Sequence, residues 1–414
     1  MAIEQIIEGE SVGSMVGKLN ADIRRANLNS IIQALTLNDV VNGVLLPADP
    51  SIVTVTELGS DASLTKFVRY DTNPEKFSHS AAINVFYQGR QARLHTTTVT
   101  GTGNVGAGAN QTQPAWEFYI DAQDIIIEVG ANSQYTLQID GIFYSKTKSN
   151  IGNDGDNDNN LLLNFADKRA RKITLNFNTG AAGFGGVYIL PTDSVWAVDM
   201  PISMCIFGDS FGTGTSTNPA GLAWTSALPK SLGILDYQVS AVGGTGFYAF
   251  AGTQTNYADR ALTDCNYRDF DIIVAATSTN DRDIYDSDPA ALESAFSDWY
   301  TTVRSNHPNS LIIIPGSPRS VTPRSGESNG FIGAEQTVLD AAAALNDPLL
   351  ITIPVLTSDD PPVFGSGNEG NLQGDGNADL YVSSDGLHYN DAGHNFHAVW
   401  LSIKILAKLR SLVI

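Results

Sequence analysis

Four short segments of the chain carry residue types suited to nucleophilic acyl chemistry. In Phe207-Gly208-Asp209-Ser210-Phe211-Gly212 a hydroxyl sits between glycines. Glycines there permit a tight turn that projects the hydroxyl, and a helix starting just after it would aim backbone N–H groups at the same spot. In Asp385-Gly386-Leu387-His388 a carboxylate precedes an imidazole by three residues, so one loop can present both. The carboxylate can hold one ring nitrogen while the other faces a hydroxyl, which is a weak nucleophile without such a base. Val242-Gly243-Gly244-Thr245-Gly246 offers a backbone N–H, and Ser278-Thr279-Asn280-Asp281 offers the Asn280 amide. Both donors suit a developing oxyanion. Each segment alone also reads as an ordinary turn. Of six histidines, His388 combines a near Asp with a strand-end position. His79 and His95 fall outside the strand-helix region, and a surface or packing role is expected for His394 and His397 on the final helix.

The elements that must position these segments alternate from about residue 201 to 414. SMCIFG, DYQVSAVG, DIIVAAT, LIIIPGS and LITIPVL read as short buried strands. Between them lie helical patterns. Leu292, Phe296, Trp299 and Val303 share a helical face behind an Asp288-Pro289 start, where Asp caps and Pro suits the first position. Phe396, Val399, Trp400, Ile403, Leu406 and Ala407 make the apolar stripe expected of the last helix. Such alternation predicts a parallel sheet covered on both faces, with ligands beyond the carboxyl ends of its strands. All four segments fall at such ends.

Residues from about 76 to 200 have another rhythm. INVFYQG, ARLHTTTVTG, AWEFYIDAQDIIIEVG, QYTLQIDGIFYS, RKITLNFN and FGGVYIL are β-branched or aromatic runs separated by Gly, Asn and Asp clusters. They predict an antiparallel β-sandwich, with a hairpin turn at Asp140-Gly141. Residues 1–75 are mixed, with a helical pattern over Lys18–Leu35, and read as a docking or attachment segment. The Asp-rich stretch Asn153–Asn160 lacks the glycine and distal glutamate of an EF-hand and reads as a solvated loop, so no metal is expected.

Bulk properties limit the partners. Net charge of -20 opposes nucleic acid and anionic membranes. No apolar run is long enough to span a membrane. Two cysteines, Cys205 and Cys265, cannot make a disulfide scaffold, and Cys205 reads as a buried thiol. MAIEQIIEGES lacks the pattern of a secretory signal, so the chain is expected to stay in the cytoplasm or to leave by another route.

Taken in order, GDS at 208–210, Gly243, Asn280-Asp281 and Asp385–His388 resemble the blocks of the SGNH (GDSL-like) hydrolases. The resemblance covers about residues 201–414. It implies a flavodoxin-like three-layer α/β sandwich with a five-stranded parallel sheet. It further implies Ser210 as nucleophile, His388 as general base, Asp385 as its orienting carboxylate, and an oxyanion hole of the Ser210 and Gly243 N–H groups with the Asn280 amide. No cofactor is implied. One departure stands out: the third block usually has Gly where this chain has Ser278, so the site could be narrowed or its loop shifted.

A β-sandwich ahead of such a domain resembles two-domain carbohydrate esterases, in which a jelly-roll-like module precedes the hydrolase. That implies O-deacetylation of a polysaccharide, with residues 76–200 as a carbohydrate-binding module. Gly9–Asn20 resembles a motif near the start of phage tail fibre and tail spike proteins, which implies a virion tail protein acting on host surface glycan, commonly a trimer. Two other readings stay open: a receptor-binding or structural tail protein with a weak or inactive hydrolase domain, and an esterase or lipase on small or lipid esters. No long exposed apolar segment is expected near the site, and the polar, glycine-rich segment 358–379 is expected to border it.

Overall fold

The structure, a computed structural model, describes residues 49–58, 68–70, 78–80, 84–88, 91–95, 115–130, 134–144, 149–150, 158–177, 184–198, 202–217, 223–250, 255–266, 269–318 and 330–412. Gly9–Asn20, Lys18–Leu35 and 153–157 lie outside the described residues.

The first sheet is antiparallel throughout and holds twelve strands. Its longest strands, Ala115–Gly130 and Asp158–Phe177, pair along most of their length. In the first, the residues that join the apolar core run Trp116, Phe118, Ile120, Ala122, then Ile125, Ile127, Val129. The alternation changes phase after Ala122, opposite the register break between Asn164 and Arg169. A bulge there shifts the register while both halves keep feeding one core. The Asp140-Gly141 turn closes its hairpin with φ of 52° and 84°, as a two-residue Asp-Gly loop requires. Two findings alter the expected outline. Strands Thr54–Glu57 and Val68–Tyr70 pair with Leu161–Asn164 and with 187–189, so the sheet begins ahead of residue 76. Asp158–Asn160 open a long strand rather than ending a solvated loop, and Asn159 and Asn160 are buried.

The second sheet has five parallel strands: β1 (Ser203–Gly208), β2 (Asp236–Ala241), β3 (Ile272–Ala275), β4 (Leu311–Pro315) and β5 (Leu350–Ile353). Their order is β2-β1-β3-β4-β5. Alternate side chains feed two cores, as the strand pleat dictates. Met204 and Ile206 face α1 (Trp224–Ser231) and α4 (Asp391–Leu412). Cys205 and Phe207 face α2 (Pro289–Asn306) and α3 (Gly330–Ala344). The result is the expected three-layer α/β sandwich. Cys205 and Cys265 are buried free thiols in the second core.

Helix α2 follows its sequence signals. The Asp288 side chain accepts the Ala291 N–H at 3.2 Å, and Leu292, Phe296, Trp299 and Val303 are all buried. The stripe expected on α4 is rotated. Ala398, Leu401, Ile405, Leu406 and Leu409 face the core, while Ile403 is 49% exposed. The inner face also carries His394, Asn395, His397 and Ser402, so apolarity alone pointed to the wrong side. Strand order reverses at β1, between β2 and β3, the point beyond whose carboxyl ends such sheets bind ligands.

Candidate active site

β1 ends at Gly208, and the chain reverses through a series of turns. Thr213 N–H donates to Asp209 O at 2.9 Å and Thr215 N–H to Ser210 O at 3.1 Å. Residues 211–216 form turns in place of the helix expected directly after Ser210, and the next helix among the described residues is α1, at Trp224. A Cβ placed on Gly208 would stand 3.0 Å from Gly212 Cα, and one on Gly212 only 2.9 Å from Gly208 Cα. The two backbones touch, so both glycines are needed to close the turn that lifts Ser210.

Ser210, His388 and Asp385 meet. His388 Nε2 lies 2.8 Å from Ser210 Oγ, and His388 Nδ1 lies 2.7 Å from Asp385 Oδ2. The Phe211 ring packs on the imidazole with centroids 5.1 Å apart. Asp385 Oδ1 accepts the N–H groups of Leu387 and His388 and the Ser383 hydroxyl. Partial burial alone would push the Asp385 carboxyl up, but the His388 ring and these donors together hold it well below the usual carboxylate range. The carboxylate therefore stays charged. Such an array can take a proton from Oγ onto Nε2 and stabilise the imidazolium that results.

Gly243 lies beside the serine, and Asn280 is joined to the serine's turn through Ser278 and Asp209. A Cβ on Gly243 would lie 3.6 Å from Ser210 Cβ, an ordinary contact. The close approach that forbids a side chain falls instead at Gly246, where a Cβ would stand 2.4 Å from an Asp281 carboxylate oxygen. Neither Ser210 N–H nor Gly243 N–H donates to an acceptor among the described residues. Asn280 Nδ2 lies 3.0 Å from Thr245 O and 3.1 Å from Ser278 Oγ, which are themselves 2.9 Å apart. That near-equilateral triangle subtends at Nδ2 about half the angle between the two hydrogens of an sp² nitrogen. One hydrogen is able to serve both acceptors, which leaves the other for a third partner.

Asp281 braces this wall. Its carboxylate accepts the N–H groups of Phe247, Tyr248 and Ala249 at 2.9, 3.1 and 2.8 Å. Burial nevertheless pushes its pKa up to about 6. Asp209 is also buried and raised for the same first reason, and accepts from Ser278 Oγ and Phe211 N–H.

Three supporting residues escaped sequence reasoning. Arg260, buried on a short helix (Tyr257–Arg260), donates to Gly208 O, Ser240 O and Thr245 Oγ1, tying the ends of β1 and β2 to the glycine loop. Ser216, at φ 70°, donates its hydroxyl to Asp385 Oδ2 at 3.0 Å. His394 Nδ1 accepts the Trp224 N–H at 3.2 Å, capping α1 where Ala223 has no capping side chain. Segment 358–379 anchors the Asp385 turn, since Asn368 Nδ2 donates to Ser383 O and Ser384 O. Its root is held by Trp400, whose indole N–H donates to Asp360 O at 3.1 Å, and by Lys404 paired with the Asp360 carboxylate.

Beside Asn280 opens a cleft of about 540 Å³. Tyr248, Phe250, Phe331 and Leu387 line it together with Arg282 and Asp283. Phe250 is 66% exposed, and Tyr248 and Leu387 more than a third. A short apolar rim therefore exists where none was expected, while no residue of 358–379 lines this cleft.

No family model matches the sequence, and no curated protein matches it. Solved structures do match. A salicylyl-acyltransferase from a tetracycline biosynthetic pathway superposes with TM-score 0.61 at 13% identity, over 83% of this chain and 98% of that one. The likeness is one of fold: a parallel-sheet α/β sandwich joined to an antiparallel β domain. A family two carbohydrate esterase from Cellvibrio japonicus gives TM-score 0.56 at 13% identity, over 87% of this chain and 98% of its own. An acetyl xylan esterase from the rumen bacterium Butyrivibrio proteoclasticus gives 0.54 at 14% identity, over 87% and 99%. These matches span both sheets, so the antiparallel domain and the α/β domain recur together.

Proposed function

We propose that this chain is a serine ester hydrolase that removes acetyl groups from a polysaccharide. The hydrogen-bonded series Ser210–His388–Asp385 carries the reading. Ser210 Oγ attacks the ester carbonyl carbon as its proton passes to His388 Nε2. The imidazolium, held by Asp385, returns that proton to the leaving sugar hydroxyl. Water then attacks the acyl-enzyme with His388 as base, and acetate leaves. The N–H groups of Ser210 and Gly243 and the second hydrogen of Asn280 Nδ2 receive the oxyanion. No step calls for a metal or cofactor.

Support for a sugar ester comes from the cleft. It exceeds the needs of an acetyl group, and its aromatic faces beside Asn280, Arg282 and Asp283 suit a ring with apolar and hydroxylated sides. Neighbours that are carbohydrate esterases support the same reading. The Gly9–Asn20 resemblance supports a host surface glycan as the target of a tail protein. A second reading rests on the rim of Phe250, Tyr248 and Leu387, which also suits a bulkier apolar acyl group.

The test is acetate release from acetylated polysaccharides and turnover of p-nitrophenyl acetate against p-nitrophenyl octanoate, for the parent and Ser210→Ala. Activity on both acetyl substrates that vanishes in Ser210→Ala is expected. Preference for octanoate selects the second reading. A parent silent on every ester yet adherent to cells replaces the enzyme with a binding protein.

A further inference from the structure

Position 278, where the sequence departs from the commoner glycine, holds a hydroxyl with four polar atoms in hydrogen-bond reach. Ser278 is nearly fully buried. Its Oγ lies 2.7 Å from Asp209 Oδ2, in the turn that carries the nucleophile, and 2.9 Å from Thr245 O, in the glycine loop. The same oxygen accepts from Asn280 N–H and Asn280 Nδ2, each at 3.1 Å. A hydroxyl has one proton and two acceptor positions. With its proton on Asp209 or Thr245, both acceptor positions are filled by Asn280, and no rotation of the hydroxyl improves the count. The backbone at 278 is extended, φ -115° and ψ 138°, which any residue adopts, so conformation alone does not demand serine.

We infer that Ser278 is a positioning residue for the oxyanion amide, linking the nucleophile turn to Asn280 through one saturated hydroxyl. The inference rests on the ester-hydrolase reading. Its physical content is the shared hydrogen on Nδ2. Thr245 O and Ser278 Oγ together capture one amide hydrogen, and the planar geometry of the amide then fixes where the other points. Without the Ser278 hydroxyl, Thr245 O is the remaining acceptor, and the amide can swing about that single bond. An oxyanion donor out of place by a fraction of an ångström loses much of its value, because such groups act by being oriented before charge develops. The departure that promised a narrowed or shifted loop thus supplies a tether. A side chain at 278 reaches Asp209, Thr245 and Asn280, whereas a glycine there reaches none of them.

The experiment is a double-mutant cycle between Ser278→Ala and Asn280→Ala, read as kcat and KM for p-nitrophenyl acetate, with thermal melting to verify folding. Ser278→Ala is expected to lower kcat about tenfold with KM within about twofold. In the Asn280→Ala background the same change should cost less than about twofold, because the amide it orients is gone. Ser278→Gly is the second variant and should match Ser278→Ala, so a folding defect peculiar to one does not decide the matter. Equal losses in both backgrounds overturn the inference, since Ser278 would then act independently of Asn280. So does a parent-like kcat in either Ser278 variant. A parent that neither turns over nor is labelled at Ser210 by a fluorophosphonate overturns the hydrolase reading and this inference with it. Labelling of the parent separates the two failures.

Discussion

Ser216 shows how a residue remote from Asp385 in sequence can serve it. Its φ of 70° lies in a region that non-glycine residues occupy only under constraint, yet its hydroxyl reaches the same Asp385 oxygen that His388 Nδ1 engages. Ser216→Gly removes the donor and relieves the backbone together. We expect kcat to fall about threefold to tenfold, the range of one hydrogen bond, with melting temperature unchanged or raised. A loss of stability matching the loss of rate would assign Ser216 to folding instead. Ser210, Asp385 and His388, which meet in the structure, could be picked out in sequence because each lies in a short segment whose neighbours define it. Asp385 and His388 are three residues apart, and the glycines bracketing Ser210 announce a turn. Ser216 could not be found this way, for its partner is 169 residues distant. Neither could Arg260, which meets Gly208 from 52 residues away, since a lone arginine in sequence says nothing of the carbonyls it will bind.

Among elements, the far end of the loop from Val242 to Phe250 is gathered on one carboxylate. Three consecutive N–H groups, of Phe247, Tyr248 and Ala249, converge on Asp281. Asp281→Asn leaves one oxygen to accept and sets an amide N–H₂ against those donors. The expected outcome is a stability loss of about 1–3 kcal/mol by denaturant unfolding, with earlier proteolytic cutting near Phe250. Gly246→Ala should act similarly, since its methyl would enter the space of the same carboxylate. An Asp281→Asn protein that unfolds and is cut like the parent would show the loop to be held by other means. The five parallel strands were readable because each is a short run of apolar residues bounded by turn signals. The face of α4 was not, because its inner side mixes Leu401 and Ile405 with His394 and His397, whose burial depends on partners from α1 and the Tyr389 ring.

For the whole molecule, those two histidines set the response to acid. Burial lowers both His394 and His397 to about 3, from an ordinary value of 6.5. As pH drops below 6.5 the unfolded chain takes up protons that the folded chain refuses until about pH 3, so stability is lost through that window. Asp281 works the other way. Raised to about 6 by burial, it is protonated in the folded state before the unfolded one, which favours folding between pH 6 and 3.8. Asp209, also raised by burial, acts in the same direction as Asp281; the two histidines should outweigh both, so the melting temperature is expected to fall between pH 7 and 4. His397→Phe keeps a ring against Trp224 and Tyr389 but carries no proton, and should flatten that fall; a pH profile parallel to the parent's would refute the assignment. The bond from Trp400 to Asp360 has a practical use of its own. An indole fixed at the root of the segment that secures the Asp385 turn, with the Lys404 ammonium 5.2 Å above its ring, is an optical gauge. A ligand that lifts the segment would alter its fluorescence, and comparison with Trp400→Phe would isolate that signal without an added dye.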